Sequence, residues 1–278
     1  MRVAVVSSRN VPGYPDRNLT GHLLWVGRAA RRGARLVLFP ELSLSGYSSK
    51  PFMRGVGMRL DDRRCRKLMQ AARQHDLFIA FGLPLRRGGK LYISHVLVGP
   101  RGLVGHYEKV HLAGAAAGEG RTFAAGSHFR VFDVDGVCVG INICADGRHP
   151  GSSLSVAHLG AEVILHPHGN TVGRLGVNPR DWSAKKRAYL GPRAVDTCTY
   201  TLICNSVGSV RGLDGQMVHF SGGAMILGPD GKFVARLEST ARRPGMVVAD
   251  LDLPRPREKS TFAQRRPEVY VEALTRGR

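Results

Sequence analysis

The chain has 278 residues, 43% of them apolar, and a formal net charge of +20, enough for one large domain or two small ones around a substantial core. No apolar run approaches the roughly 18 residues of a membrane span, and the apolar start of MRVAVVSSRN is too short for a secretory signal, so a soluble, cytoplasmic protein with no membrane partner is expected. Five scattered cysteines, Cys65, Cys138, Cys144, Cys198 and Cys204, form no CxxC pair and no zinc-like spacing, which argues against a disulfide framework or a metal site and fits a reducing compartment.

In chain order, RVAVVS (2–7) predicts a strand. LTGHLLWVGRAARRG (19–33) has helical spacing and stops at glycine. RLVLFPE (35–41) predicts a strand ending at Glu41, and RRCRKLMQAARQHD (63–76) a helix. Strands are predicted over 77–85, 90–98 and 103–112, separated by RRGG and GPRG turns. HFRVFDVDGVCVGINIC predicts a hairpin turning at Asp-Gly. A helix follows over 151–162, a strand at VILHPH, and a helix over 181–198 with a possible kink at Pro192. TYTLICNSVG predicts a strand, VHFSGGAMILGPDGKFVARLE a hairpin around GPDG, and GMVVADLDL a last strand before a basic, irregular tail. No repeat or linker divides the chain. The expectation is a single α/β domain over 1–278, with a core of about 2–252 and a tail of 253–278, four or five helices, and a mixed sheet arrangement covered by helices.

Three strand ends carry chemistry. LVLFPE ends in Glu41, LVGHYEK in Lys109 and VGINIC in Cys144. In α/β folds, sites collect at strand ends and the loops after them. Each residue alone has a plainer reading: a solvated or capping Glu, a surface Lys, a core Cys.

Together and in this order, FPELSLSGY, YEKVHL and ICADGRHP resemble the nitrilase superfamily of carbon–nitrogen hydrolases. RAVDTCTYTLICNSVG, FSGGAMILGPDGKFVA and GEGRTFAAG resemble later landmarks of the same family, so the resemblance runs from residue 2 to about 252. It implies a four-layer α-β-β-α sandwich of the nitrilase type, usually paired as a homodimer or larger even oligomer. It maps a glutamate base to Glu41, a lysine to Lys109, the nucleophile to Cys144 and a second glutamate to Glu119. It also implies that Asp146 and Arg148 brace the turn after the nucleophile. Many relatives carry aromatic residues where this chain has Ala145 and His149, which implies a differently shaped acyl pocket. Tyr47, in the FPELSLSGY segment, and His168, in HPHGN (166–170), are further candidates for contacting substrate. The small residues of AGAAAGEG (113–120) suggest a rim before Glu119.

The chemistry of these residues is coherent without the family. A free thiol is only a few per cent thiolate at neutral pH. An adjacent ammonium favours the thiolate, and an adjacent carboxylate takes its proton. Cys144 would attack a carbonyl carbon, with Lys109 and the backbone N–H of Ala145 as donors to the oxyanion. Glu41 would pass the proton to the leaving amine and then activate a water against the thioester. Glu119 would hold Lys109 or orient substrate, and no cofactor or metal is required. The expected function is hydrolysis of a small amide or N-carbamoyl compound, since KVHL is closer to the amidase and carbamoylase branches. The alternatives are a nitrilase, an amide-forming acyltransferase, or a silent or nucleic-acid-binding module using the charge. That charge comes from 33 Arg and only 8 Lys, spread along the chain without a recognition motif, so a solvated basic surface is favoured over nucleic-acid binding.

Overall fold

The computed structural model describes residues 1–114, 117–172, 182–237, 243–253, 262 and 264–275. The first half builds β1 (Arg2–Ser7), α1 (Pro15–Ala30), β2 (Leu36–Leu38), α2 (Arg63–His75), β3 (Phe78–Arg87), β4 (Lys90–Gly99) and β5 (Gly102–Glu108). The second builds β6 (Val131–Val134), β7 (Val137–Ile141), α3 (Pro150–His158), β8 (Val163–His168), α4 (Trp182–Thr197), β9 (Tyr200–Asn205), β10 (Val207–Arg211), β11 (Met217–Ser221), β12 (Ala224–Leu227), β13 (Phe233–Leu237), β14 (Gly245–Asp250) and α5 (Pro267–Thr275).

Local chemistry sets these elements. The Asp62 carboxylate caps the Arg64 N–H at 2.9 Å at the start of α2. At its end Asp76 takes a left-handed φ of 49°. The β3–β4 and β6–β7 hairpins each turn on two residues with positive φ, Gly88–Gly89 and Asp135–Gly136, the conformation that matches the twist of paired strands.

Two six-stranded mixed sheets result, in the orders β14-β1-β2-β3-β4-β5 and β13-β12-β9-β8-β7-β6. Strand alternation gives each sheet two apolar faces. Val3, Val5, Leu36 and Leu38 pack with Val139, Ile141, Val163, Leu165 and Leu202 of the opposite sheet. Ala4, Val6, Val37 and Phe39 point the other way, onto Leu19, Val26, Leu68 and Ala72 of α1 and α2. Trp182 and Leu190 of α4 cover Ile203 and Met225, and Val156 of α3 packs on Ile164. The expected four layers, α-β-β-α, are therefore present. Each sheet has a parallel centre, β1-β2-β3 and β7-β8-β9.

Several expected boundaries move. The strand expected over 35–41 pairs only over Leu36–Leu38, because Pro40 has no N–H for the ladder. The stretch 218–238 is not one hairpin. Gly222 and Gly223, both at positive φ, divide β11, which pairs with β10 in a separate ribbon, from the β12–β13 hairpin. α4 runs through Pro192 to Thr197; Asp181, its expected first residue, lies outside the described residues. The tail was expected to be irregular, yet Pro267–Thr275 is helical, while 254–261, 263 and 276–278 lie outside the described residues. All five cysteines are free. Among the described residues no helix is long and apolar enough to cross a membrane.

Candidate active site

Glu41 follows β2 in a loop with Leu42 at a φ of 49°. That loop lies directly on the backbone of Gly82, where an added Cβ would come within 2.3 Å of the Leu42 nitrogen. The Glu41 N–H donates to the His168 carbonyl at 3.3 Å, joining one sheet to the other. Lys109 comes directly after β5, its N–H on the Ile93 carbonyl at 2.9 Å. Glu119 opens a short 3-10 turn, Glu119–Arg121. All three side chains are fully buried.

They form one cluster. Lys109 Nζ donates to Glu41 Oε1 at 2.7 Å and to both oxygens of Glu119, at 2.9 and 2.8 Å. Glu119 also accepts from Tyr47 Oη at 2.7 Å and from the Ala113 N–H at 2.7 Å. Of the two roles expected for Glu119, the geometry matches holding Lys109. Tyr47 lines the cavity described below, but its hydroxyl is committed to Glu119.

Cys144 starts the 3-10 turn Cys144–Arg148 after β7 with a φ of 46°. A non-glycine residue in this region carries strain on the order of 1–3 kcal/mol, kept only where the surroundings enforce it. Asp146 enforces it here. Its carboxylate accepts from the Ile143 N–H at 2.9 Å, Tyr107 Oη at 2.8 Å, the His111 N–H at 2.8 Å and His111 Nδ1 at 2.9 Å. These bonds tie the turn to Tyr107 of β5 and to His111 just beyond it, on either side of Lys109. Gly147 lets the turn sit against His166, where an added Cβ would come within 2.2 Å of Nε2. Arg148 takes no part in the bracing; among the described residues no bond joins it to Asp146, and it is exposed at the cavity instead.

The cavity beside Cys144 has a volume of about 310 Å³, at the small end of ligand pockets. Ala145 and His149 line it as expected, as do Ala113, Gly114 and Ala117 of the small-residue rim; Ala115 and Ala116 lie outside the described residues. His168 does not line it. Its ring is wholly buried, stacked on His166 at 4.9 Å and edge-on to Trp182 at 5.9 Å, with neither ring nitrogen bonded. What HPHGN brings to the cavity is Gly169 and Asn170. Asn170 Nδ2 donates to Cys144 Sγ at 3.6 Å while Trp182 Nε1 donates to Asn170 Oδ1 at 3.1 Å, which fixes the amide's orientation.

Electrostatics add the effect of burial to these expectations. Burial raises the Cys144 pKa to about 12, and the charge of Glu41 adds to this; Lys109 and Lys186 pull the other way without prevailing. Lys109 favours the thiolate as expected, while burial favours the protonated thiol. Burial also raises Glu41, to about 7, against the pull of Lys109. Glu41 Oε2 makes no hydrogen bond of ordinary geometry, yet Cys144 stabilises the ionised carboxylate. A base that titrates near neutrality therefore faces a protonated thiol, an arrangement suited to proton transfer during attack. Burial works against the charge of Lys109, but Glu41 and Glu119 outweigh it and hold its pKa above the ordinary value.

Lys186 and Tyr189 of α4 also line the cavity and were not among the expected site residues. A signal for them exists in the sequence. Lys186 falls on the apolar stripe of its helix, four residues after Trp182 and four before Leu190, where a lysine is out of pattern.

The profile of the carbon–nitrogen hydrolase family matches residues 2–259. A nitrilase of Pyrococcus abyssi is 32% identical over 97% of this chain and 99% of its own length. An (R)-stereoselective amidase of Pseudomonas sp is 33% identical over 91% of this chain and 85% of its own. An amidase of Nesterenkonia sp. has a similar solved structure, with a TM-score of 0.83 and 25% identity over 98% of this chain and 96% of that one. One of that amidase's structures shows Michael addition of acrylamide at its active-site cysteine.

Proposed function

The chain belongs to the carbon–nitrogen hydrolase family, and from that premise we propose that it hydrolyses a small non-peptide amide or N-carbamoyl compound through a thioester on Cys144. The observation that carries this is the bonding of Lys109 Nζ to Glu41 and Glu119 at 2.7–2.9 Å beside the cavity that holds Cys144.

Glu41 takes the thiol proton as Sγ attacks the carbonyl carbon. The carbonyl electrons move onto oxygen, which Lys109 and the Ala145 N–H receive. As the oxyanion collapses, the C–N bond breaks and Glu41 protonates the departing amine. Glu41 then draws a proton from water, the hydroxide adds to the thioester, and the C–S bond breaks to give a carboxylic acid. The proton returns to Cys144. Glu119 is a positioning residue, keeping Lys109 aimed at the oxyanion while Lys109 offsets the charge of Glu41.

A panel of small amides, N-carbamoyl compounds and nitriles, read by ammonia release, tests this. The expected result is turnover of amides or carbamoyl compounds, with an acyl mass on the Cys144 peptide after rapid quenching. Ammonia release without any adduct on Cys144 would overturn it. The family also suggests an even oligomer; light scattering that finds only a 30.2 kDa species across micromolar concentrations would count against assembly.

A further inference from the structure

Lys186 is only 7% exposed and lies in the cavity with Cys144. A buried charge is normally paired, because desolvating it alone is costly. Lys109 obeys this rule. Lys186 does not: among the described residues no carboxylate lies within ion-pair distance of its ammonium. Its partner is a neutral hydroxyl, Tyr189 Oη at 2.8 Å. The ring faces of Trp182 and Tyr189 lie 5.7 and 5.1 Å from Nζ, which softens the cost of the charge.

The direction of the Lys186–Tyr189 bond matters. The ammonium donates and the phenol oxygen accepts, so the phenol proton is left to donate elsewhere. Both groups thus have donors to offer the cavity. Arg148 adds a second cation to the lining, and no acidic side chain is found among the described lining residues. Glu41 and Glu119 are occupied by Lys109. Burial lowers the Lys186 pKa to about 8, so the ammonium form still predominates at neutral pH.

We propose that Lys186 and Tyr189, with Arg148 at the rim, form an anion-recognition subsite, and that the substrate is an amide carrying a carboxylate on its acyl chain. The proposal rests on the reading of Cys144 as nucleophile and adds the chemical class of its substrate. The carboxylate supplies the counter-charge that Lys186 lacks, accepts from Tyr189, and orients the acyl chain with its amide carbon toward Sγ. A neutral amide of the same length would leave the ammonium unpaired and lose these charge-assisted bonds.

Binding is measured by calorimetry on Cys144→Ala, which cannot form a thioester. The probes are succinamate and glutaramate against butyramide and valeramide. The anionic amides are expected to bind about 10–100-fold tighter than the neutral ones, the range of a hydrogen bond to a charged group. In Cys144→Ala/Lys186→Met that margin should collapse toward one. In the enzyme with Cys144 intact, Lys186→Met should lower the anionic-to-neutral ratio of kcat/KM, mainly through KM. Equal binding of both classes, or a margin that survives loss of Lys186, overturns the subsite. So does an equal loss of turnover on both classes together with slower alkylation of Cys144, which would make Lys186 a counter-charge for the thiol. Tight binding of the carboxylates with no amide hydrolysed by the wild type would leave the subsite standing and overturn the hydrolytic reading instead.

Discussion

Two lysines hidden beside one cysteine feel opposite pressures. Lys109 is 0% exposed and Lys186 7%, and burial opposes the charge on both. Two carboxylates reverse that pressure on Lys109, whose pKa rises. Lys186 has a phenol oxygen instead, and its pKa falls to about 8. Burial alone therefore does not decide the charge state of a site; the count of opposing charges does. Lys109 is built into the protein by ion pairs at 2.7 and 2.8 Å. Lys186 is left with capacity for a ligand.

The largest break in this comparison comes from removing a carboxylate function from the Lys109 cluster. Glu41→Gln keeps the hydrogen bond to Lys109 but carries no proton between thiol, amine and water. Turnover should fall about 10²–10⁴-fold, measured by ammonia release on protein shown to be folded by its melting transition. A folded Glu41→Gln enzyme with near wild-type turnover would mean that another group carries the proton. Lys109→Met is next. It leaves Glu41 and Glu119 buried without their cation, and breaking a buried pair costs about 3–5 kcal/mol. Denaturant unfolding should show that loss, with residual activity down about 10²–10³-fold. A Lys109→Met protein as stable as wild type would erase the distinction between the lysines.

A smaller effect sharpens the same cluster by pH. Glu41 acts as base only when ionised, so kcat/KM should rise with pH through about 7 and flatten above it. Iodoacetamide labelling of Cys144 should follow the same curve, because Glu41 supplies the base. In Glu41→Gln, labelling should move to higher pH, because the base is gone while burial still raises the thiol. Peptide mapping distinguishes this from the buried Cys65 and Cys204, whose thiols burial also raises. Stability carries the matching sign. The folded pKa of Glu41 lies above its ordinary 4.5, so the native state holds the extra proton between about pH 4.5 and 7. The contribution is full below that window and is lost as pH rises through it.

Much of this was legible in the sequence because the signals are local. β1 and β8 coincide with RVAVVS and VILHPH, and Glu41, Lys109 and Cys144 stand just past β2, β5 and β7. What escaped depends on contacts between distant segments. No feature of ICADGRHP says that Asp146 reaches back to Tyr107 and His111. The raised thiol pKa depends on how far the folded chain desolvates Sγ, which a motif does not encode. His168 was expected at the pocket because it follows a strand, but in VILHPH its ring packs with His166 against Trp182 while Gly169 and Asn170 meet the cavity. Lys186 is hidden among many basic residues, although its place on an apolar helix stripe sets it apart.

The smallest expected effect is the most direct measure of how the two lysines differ. Lys186→Met keeps the stem and removes an unpaired charge. The folded pKa of Lys186, about 8, lies below its ordinary 10.5. Below pH 8 the lysine is charged in both states, and the native state bears the cost of burying it. Between about pH 8 and 10.5 the unfolded chain holds the extra proton, so this residue makes stability rise with pH across that window and plateau above it. Every tenfold difference in proton affinity between the folded and unfolded chain is worth about 1.4 kcal/mol, and losing the hydrogen bond to Tyr189 takes back about 1 kcal/mol. Lys186→Met should therefore be more stable than wild type at pH 7, by about 2 kcal/mol. The advantage should shrink as pH rises toward 10.5. This is opposite in sign to Lys109→Met, although both changes delete a buried ammonium. Urea unfolding of both variants at pH 7 and pH 10 reads the contrast. A Lys186→Met protein destabilised at pH 7 as severely as Lys109→Met would show that Lys186 already has a counter-charge in the folded chain, and the two lysines would no longer be different in kind.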